Sequence, residues 1–374
     1  MDFTLDDEQQ AIFDLTDQIL GDLSTHDRLK RLAEADDHVD RDAWAALAEA
    51  GVVGASIPEA HGGAGLGFLA SAMALQVAGA HASPVPLLST IVMGAMPIAE
   101  FGTDDQQAAW LPSIADGSLV TATGLYEPGT TPAAPQVTAR ADGDGFILDG
   151  VKPMVEHGRE AGLLVVPAHR DDGSIGVFLV PADAEGVSRA SVQVTTGRPQ
   201  AHVTLAGVAV GADALLGGAD ADGAEIVHWI ARRAIVAMCM MMAGAARSSI
   251  RLAAEYTKER QQFDRPIATF QTVSNRAGDS YIDTEAIELT AWQAAWRIDA
   301  ELPADDQIAI AAYWAAEGGY RVVHAAVHVH GGVGVDRDYP LHRHFLLARQ
   351  LELTLGNGEE HLATLGRSIA AAPA

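Results

Sequence analysis

Cysteine is nearly missing from this sequence: Cys239 is the one thiol in 374 residues. No internal disulfide can form, and a reducing, cytoplasmic setting is the expectation. Basic residues are also scarce, with 24 Lys and Arg against 50 Asp and Glu, a formal charge of −26. That balance repels polyanions, so neither nucleic acid nor an anionic membrane is an expected partner, although a local basic pocket for a phosphate stays open. No apolar run is long. The longest, residues 235–246, is shorter than a bilayer requires and is bracketed by Arg233 and Arg247. The N-terminal run MDFTLDDEQQ is acidic and lacks the charged-then-apolar pattern of a leader. Internal repeats and low-complexity tracts are absent too. What is present is an ordinary hydrophobic fraction of 48%, enough for a sizeable core and two or three domains.

The hydrophobic period changes twice along the chain. Residues 1–118 read as a helical domain: Ile12, Phe13, Leu15, Ile19 and Leu20 recur at helical spacing. The glycine-rich stretch IPEAHGGAGLG follows no strand and lacks dinucleotide-fingerprint spacing, so it reads as a structural loop. Residues 119–217 carry short β-branched runs bounded by Gly, Asp and Pro, among them GFILDGVKPMV and HVTLAGVAV, and form a middle β-domain. The pattern leaves sandwich and barrel open. Residues 218–374 return to helix, and the IVAMCMMMAGAA segment, apolar all round, suits the middle of a bundle. Helices are expected over 272–299, 305–330, 341–354 and 359–370. The fold class is α+β with a helical domain, a β-domain and a C-terminal helical bundle.

Two stretches carry the chemistry. RQQFDRPIATFQ, residues 260–271, sets a guanidinium, an aromatic ring and an amide around a proline turn, which suits a phosphorylated, ring-bearing ligand, although a surface Arg with two core Phe residues has the same spacing. HVHGGVGVDRDYPLHR, residues 328–343, supplies a glycine cluster, for which close packing is an equal explanation. The histidines between 324 and 344 do not make a metal site, because His328 and His330, like His342 and His344, are two apart and diverge on a helix. No G-x-S-x-G elbow argues for a serine hydrolase.

These stretches resemble the R-x-x-F-G-x-P-I-x-x-F-Q and Q-x-x-G-G-x-G…Y-P-x-x-R signatures of acyl-CoA dehydrogenases, with Asp264 where the family has glycine and His328 where it has Gln. The resemblance is collinear over nearly the whole chain. It implies a barrel-like middle domain, a C-terminal four-helix bundle and an FAD cofactor whose ADP end is gripped across a subunit interface. The residues that match that grip are Arg260, Phe263, Gln271, His328, Gly331 and Gly332.

Family chemistry removes an α-proton from an acyl-CoA with a Glu while a hydride leaves Cβ for the flavin. At the two positions from which the family draws that Glu, this chain has Ala234 and Leu355, or Gly356 with a slip of one. No catalytic residue is assigned. On the flavin face, Tyr126, Met154 and Glu156 replace the family's Thr, aromatic and second Thr, and a charged Glu156 would oppose flavin reduction. The resemblance extends to the smaller, base-less subunits of actinobacterial heterotetrameric acyl-CoA dehydrogenases that act on steroid side chains attached to CoA. It implies a catalytic partner chain, two chains of each kind, two shared FAD, and reoxidation by an electron-transfer flavoprotein. Two other readings stand beside it: a self-sufficient enzyme whose base has moved to Glu156, Glu255, Glu359 or Glu360, and a flavin-free acyl-CoA-binding scaffold.

Overall fold

The N-terminal apolar spacing closes into α1 (Asp7–Leu23), α2 (His26–Glu34), α3 (Arg41–Glu49) and α4 (Gly67–Ala80). The computed structural model describes residues 5–35 and 39–371; the first four residues of the acidic N-terminal run lie outside them. A π-helical stretch, Leu88–Ala95, then leads into α5 (Met96–Phe101). Then α6 (Asp104–Ala115) starts at a reciprocal cap: Gln106 N–H donates to Thr103 Oγ1 at 3.3 Å, and Thr103 N–H donates to Gln106 Oε1 at 3.0 Å.

The middle segment forms β1 (Thr121–Thr123), β2 (Thr138–Asp142), β3 (Gly145–Glu156), β4 (Leu163–Arg170), β5 (Ile175–Pro181), β6 (Val187–Val192) and β7 (Gln200–Val210). The strand order is β1-β4-β2-β3-β7-β6, with β5 antiparallel on β4. This curled sheet wraps a core that includes Leu148, Val155, Phe178 and Val203. Strands β2 and β6 escape the sequence pattern because they are short and mostly half-exposed or exposed, so few of their residues carry a hydrophobic signal. In β3 the register against β7 slips between Lys152 and Val155. Pro153 lies inside the slip and cannot donate to the ladder. The bulge buries Lys152 while leaving Met154 at φ 60° and half exposed.

The C-terminal segment holds α7 (Gly223–Glu259), a hairpin of β8 (Gln261–Gln262) and β9 (Arg265–Pro266), then α8 (Gln271–Asp299), α9 (Asp305–Tyr313), α10 (Gly319–His330), α11 (Leu341–Leu355) and α12 (Gly358–Ala371). The apolar run at 235–246 is only the centre of α7, which is long and apolar enough to cross a membrane; 67% of its most apolar window is nonetheless buried within the chain. Met238 to Met242 on α7 are at most 2% exposed and fill core. The helix expected over 305–330 is interrupted by a π-helical turn at Trp314–Gly318.

The chain forms two compact units: Met1–Leu15, Ala35–Ser71 and Pro84–Ala234 make one, and Thr16–Glu34, Ala72–Ser83 and Ile235–Ala374 make the other. Within the second unit, α4 and α7 cross backbone to backbone. A Cβ at Gly79 would lie 2.0 Å from the Met241 carbonyl oxygen, and one at Gly244 would lie 1.9 Å from that of Gln76. Helices α8 and α10 are tied by Arg321, which donates to both oxygens of Asp283 at 2.8 and 2.7 Å.

Candidate functional site

In the second unit, the last turns of α7, the first turns of α8 and the last turns of α10 surround one small cavity of about 30 Å³, lined by Thr257, Val273 and Val329 among others. The residues that sequence singles out sit just beyond that lining: Arg260 after α7, Gln271 at the start of α8, His328 in the last turn of α10, then Gly331 and Gly332. All are exposed. The expected turn at Pro266 is the β8–β9 hairpin, in which Gln261 pairs with Pro266 and Gln262 with Arg265. Ile267 N–H closes it on the Arg260 carbonyl at 2.8 Å. Phe263 and Asp264 form its tip at φ 53° and 59°, and the Phe263 ring is 86% exposed. Holding a bulky residue in the left-handed region costs about 1–3 kcal/mol. That strain turns an aromatic face outward, toward solvent or a ligand.

The glycines of the second stretch have separate causes. Gly331 takes φ 62° as it ends α10. A Cβ at Gly334 would press Val327 O at 2.9 Å, which is the close packing the sequence allowed. At Gly332 a Cβ would meet nothing within 4 Å, so open space borders the backbone there. Beneath this loop lies a stack that sequence reading missed. The rings of Tyr256 and His330 stack at 4.4 Å with 24° between their planes. His330 Nδ1–H donates to the Ala326 carbonyl at 2.7 Å, so Nε2 accepts from the Tyr339 hydroxyl at 3.1 Å. An exposed guanidinium, an amide, an imidazole, an aromatic face and open backbone make a donor set that fits the ADP end of FAD.

The residues that stand at the family's flavin-ring positions, Tyr126, Met154 and Glu156, lie in the first unit. Glu156 is not a free charge, which corrects the expectation drawn from sequence: Arg198 Nε and Nη2 donate to its Oε1 at 3.1 and 2.9 Å. Burial alone would push the Glu156 carboxyl up; Arg198 more than offsets that and holds it below the usual carboxylate range. Its neighbour His157 is fully buried, and neither ring nitrogen has a hydrogen-bond partner among the described residues. Lys152, also buried, donates to Glu127, whose second oxygen accepts from Gln136 N–H at 2.9 Å. Arg198 stands 42 residues from Glu156, and no local pattern marks it as the partner.

The base positions carry no carboxylate. Ala234 is fully buried on α7, Leu355 is 8% exposed, and Gly356 turns the chain at φ 94°. Glu352, one turn before Leu355, is held by Arg349. Of the relocated candidates, Glu156 is bound to Arg198, Glu255 is exposed and pairs with Arg251 at 3.2 Å, and Glu359 and Glu360 are exposed in the first turn of α12. No cluster of three or more metal-ligating side chains occurs among the described residues.

The buried imidazoles set an acid limit. Burial pushes His157 down to about 4, with Glu156 resisting and Arg198 adding to the shift, and pushes His344 down to about 3. Both are neutral in the fold, whereas the unfolded chain takes up protons as pH falls through about 6.5. The unfolded state therefore binds more protons in this window, and stability declines from about pH 6.5 toward pH 4 for His157. His157 sits at φ 55°, a conformation that Asn tolerates. On lowering pH from about 7 to 5, wild type should lose about 2 kcal/mol more than His157→Asn in urea unfolding. Equal losses would show that His157 is not the group responsible.

Comparison with known proteins places this architecture. The chain matches the acyl-CoA dehydrogenase N-terminal domain over residues 6–118, the middle domain over 122–207 and the C-terminal domain over 221–370. It is 36% identical to acyl-CoA dehydrogenase FadE27 of Mycobacterium tuberculosis, covering 100% of both chains. It superposes on a chain of the ChsE4-ChsE5 complex from Mycobacterium tuberculosis with a TM-score of 0.93 at 37% identity, again over 100% of each. A variant of the Tcur3481-Tcur3483 steroid ACAD gives a TM-score of 0.90 at 39% identity, covering 98% of this chain and 99% of that one. Three matched domains in sequence, with relatives spanning the full length, make this chain a member of the acyl-CoA dehydrogenase family.

Proposed function

We propose that this chain is the non-catalytic subunit of a heteromeric, FAD-dependent acyl-CoA dehydrogenase. It completes the cofactor site of a catalytic partner chain, in an assembly of two copies of each and two FAD. The observation that carries the reading is an asymmetry. Ala234, Leu355 and Gly356 hold the positions of a base, while Arg260, Phe263, Gln271, His328, Gly331 and Gly332 all face solvent at one end of the bundle. Arg260 would pair with the pyrophosphate, Phe263 would cover an aromatic face, Gln271 and His328 would hydrogen-bond, and the open backbone at Gly332 would admit the nucleotide. When bound, FAD supplies the hydride acceptor. The proton-abstracting Glu belongs to the partner in this reading, because Ala234 and Leu355 stand where the family draws that Glu. The substrate is an acyl-CoA, proposed as a steroid side-chain thioester in steroid catabolism; the name of one solved relative, the Tcur3481-Tcur3483 steroid ACAD, supports that class. The compartment is proposed as the cytoplasm, with an electron-transfer flavoprotein as acceptor.

Co-expression with a sister chain that keeps the Glu tests this. A yellow complex with one flavin per pair of unlike chains is expected, with steroid acyl-CoA turnover, and this chain alone should be colourless and inactive. A yellow, active homo-oligomer would overturn the proposal, and a colourless complex would favour the scaffold reading. Glu156→Gln separates the relocated base. It should lower stability by breaking the buried ion pair with Arg198, yet keep turnover in the folded complex. Loss of about a hundredfold or more, the size of general-base catalysis, would make Glu156 the base.

A further inference from the structure

One ring cluster lies where the segments of the nucleotide grip end. Tyr256 is one turn before Arg260, and its carbonyl accepts from Arg260 N–H at 2.8 Å. His330 is the last residue of α10, next to Gly331. Tyr339 lies in the turn before α11. The three ring centroids close a triangle: 4.4 Å from Tyr256 to His330, 5.1 Å from His330 to Tyr339 and 6.4 Å from Tyr339 to Tyr256. His330 is 3% exposed, and both of its ring nitrogens are used. Nδ1–H donates within its own helix to the Ala326 carbonyl, and Nε2 accepts from the Tyr339 hydroxyl beyond the glycine loop. The loop folds back on the same residue: a Cβ at Gly334 would lie 3.1 Å from His330 Cβ.

A purely apolar contact is non-directional and leaves two helix ends free to slide past each other. A ring bonded at both nitrogens is held against rotation, and a stacked neighbour fixes its plane. We infer that Tyr256, His330 and Tyr339 are positioning residues: their cluster sets the spacing between Arg260 on one side and Gly331 and Gly332 on the other, and acts through those residues, not by contact with the nucleotide. The linkage runs from the Tyr256 ring through its own carbonyl to Arg260, whose carbonyl in turn closes the hairpin that carries Phe263. Arg260, Gly331 and Gly332 are themselves exposed. Holding exposed contact groups in place before a ligand arrives lowers the ordering cost of binding. The inference rests on the grip proposed above and names what keeps its two halves in register.

The test measures the FAD dissociation constant, by flavin fluorescence, and the Tm of the co-expressed complex. Tyr256→Leu, which loses the stack, and Tyr339→Phe, which loses the hydroxyl, should each raise the dissociation constant by about threefold to tenfold. Tyr256→Phe keeps the ring and should bind FAD like wild type. In an Arg260→Ala background the two damaging substitutions should add little, because residues that act through one contact are not additive. Should Tyr256→Leu fail to fold, Tyr339→Phe carries the same expectation. A lower Tm with FAD affinity unchanged would make the cluster structural only and overturn the inference. So would losses that add in full to that of Arg260→Ala, or a loss in Tyr256→Phe equal to that in Tyr256→Leu. FAD affinity lost in Arg260→Ala but kept in the ring variants would sink the cluster's role and leave the grip standing, whereas affinity unchanged in Arg260→Ala would overturn the grip and this inference with it.

Discussion

Arg260→Ala should strip FAD from the assembled complex while leaving the complex itself intact. The side chain is exposed and makes no ion pair with a described residue. Its main chain, not its guanidinium, closes the hairpin, through the 2.8 Å bond from Ile267 N–H to the Arg260 carbonyl. Truncation therefore removes a ligand contact without dismantling the turn that presents Phe263. A hydrogen bond to a charged group contributes about 1.5–3 kcal/mol, so the dissociation constant for FAD should rise about tenfold to a hundredfold. Flavin absorbance per complex after desalting reads this directly. Arg260→Lys should recover only part of the loss, since an ammonium keeps the charge but not the planar fork. Unchanged flavin content in Arg260→Ala would remove the grip from this chain.

The largest effect on stability should come from Lys152→Met. Lys152 and Glu127 are nearly excluded from solvent, at 1% and 4% side-chain exposure. Burial pulls the Lys152 pKa down, and the Glu127 hydrogen bond and charge pull it back. Removing one member leaves an uncompensated buried charge, a loss of about 3–5 kcal/mol. Changing both, Lys152→Met with Glu127→Leu, removes both desolvation costs and should recover most of that loss. Urea midpoints of the two single variants and the double variant form the cycle. A double variant as unstable as the sum of the singles would show that the pair is not coupled and that Lys152 matters only by its packing against Gly124, whose missing Cβ would lie 2.6 Å from Lys152 Cγ.

The helical domains and the β-domain were legible because hydrophobic period is a local property. Helix α8 spans Gln271–Asp299 where 272–299 was expected, and α11 spans Leu341–Leu355 where 341–354 was expected. The π-helical stretch at Leu88–Ala95 was not legible, since every residue in it is buried and no apolar stripe exists to show a change of period. Glu156 was misread for a different reason. Its charge is conspicuous in sequence, but the guanidinium that cancels it arrives on the approach to β7 and is found only once β3 and β7 pair.

The residues alone settled what two positions cannot do. Side-chain identity is covalent, and neither Ala234 nor Leu355 can accept a proton in any conformation. They also settled most of the helices and the long buried strands, because backbone preference and periodicity act over a few neighbours. Folding decided where the charges go: Glu156 onto Arg198 and Lys152 onto Glu127. Coulomb attraction and desolvation depend on distance through space and on burial, and neither is set until distant strands and helices have packed.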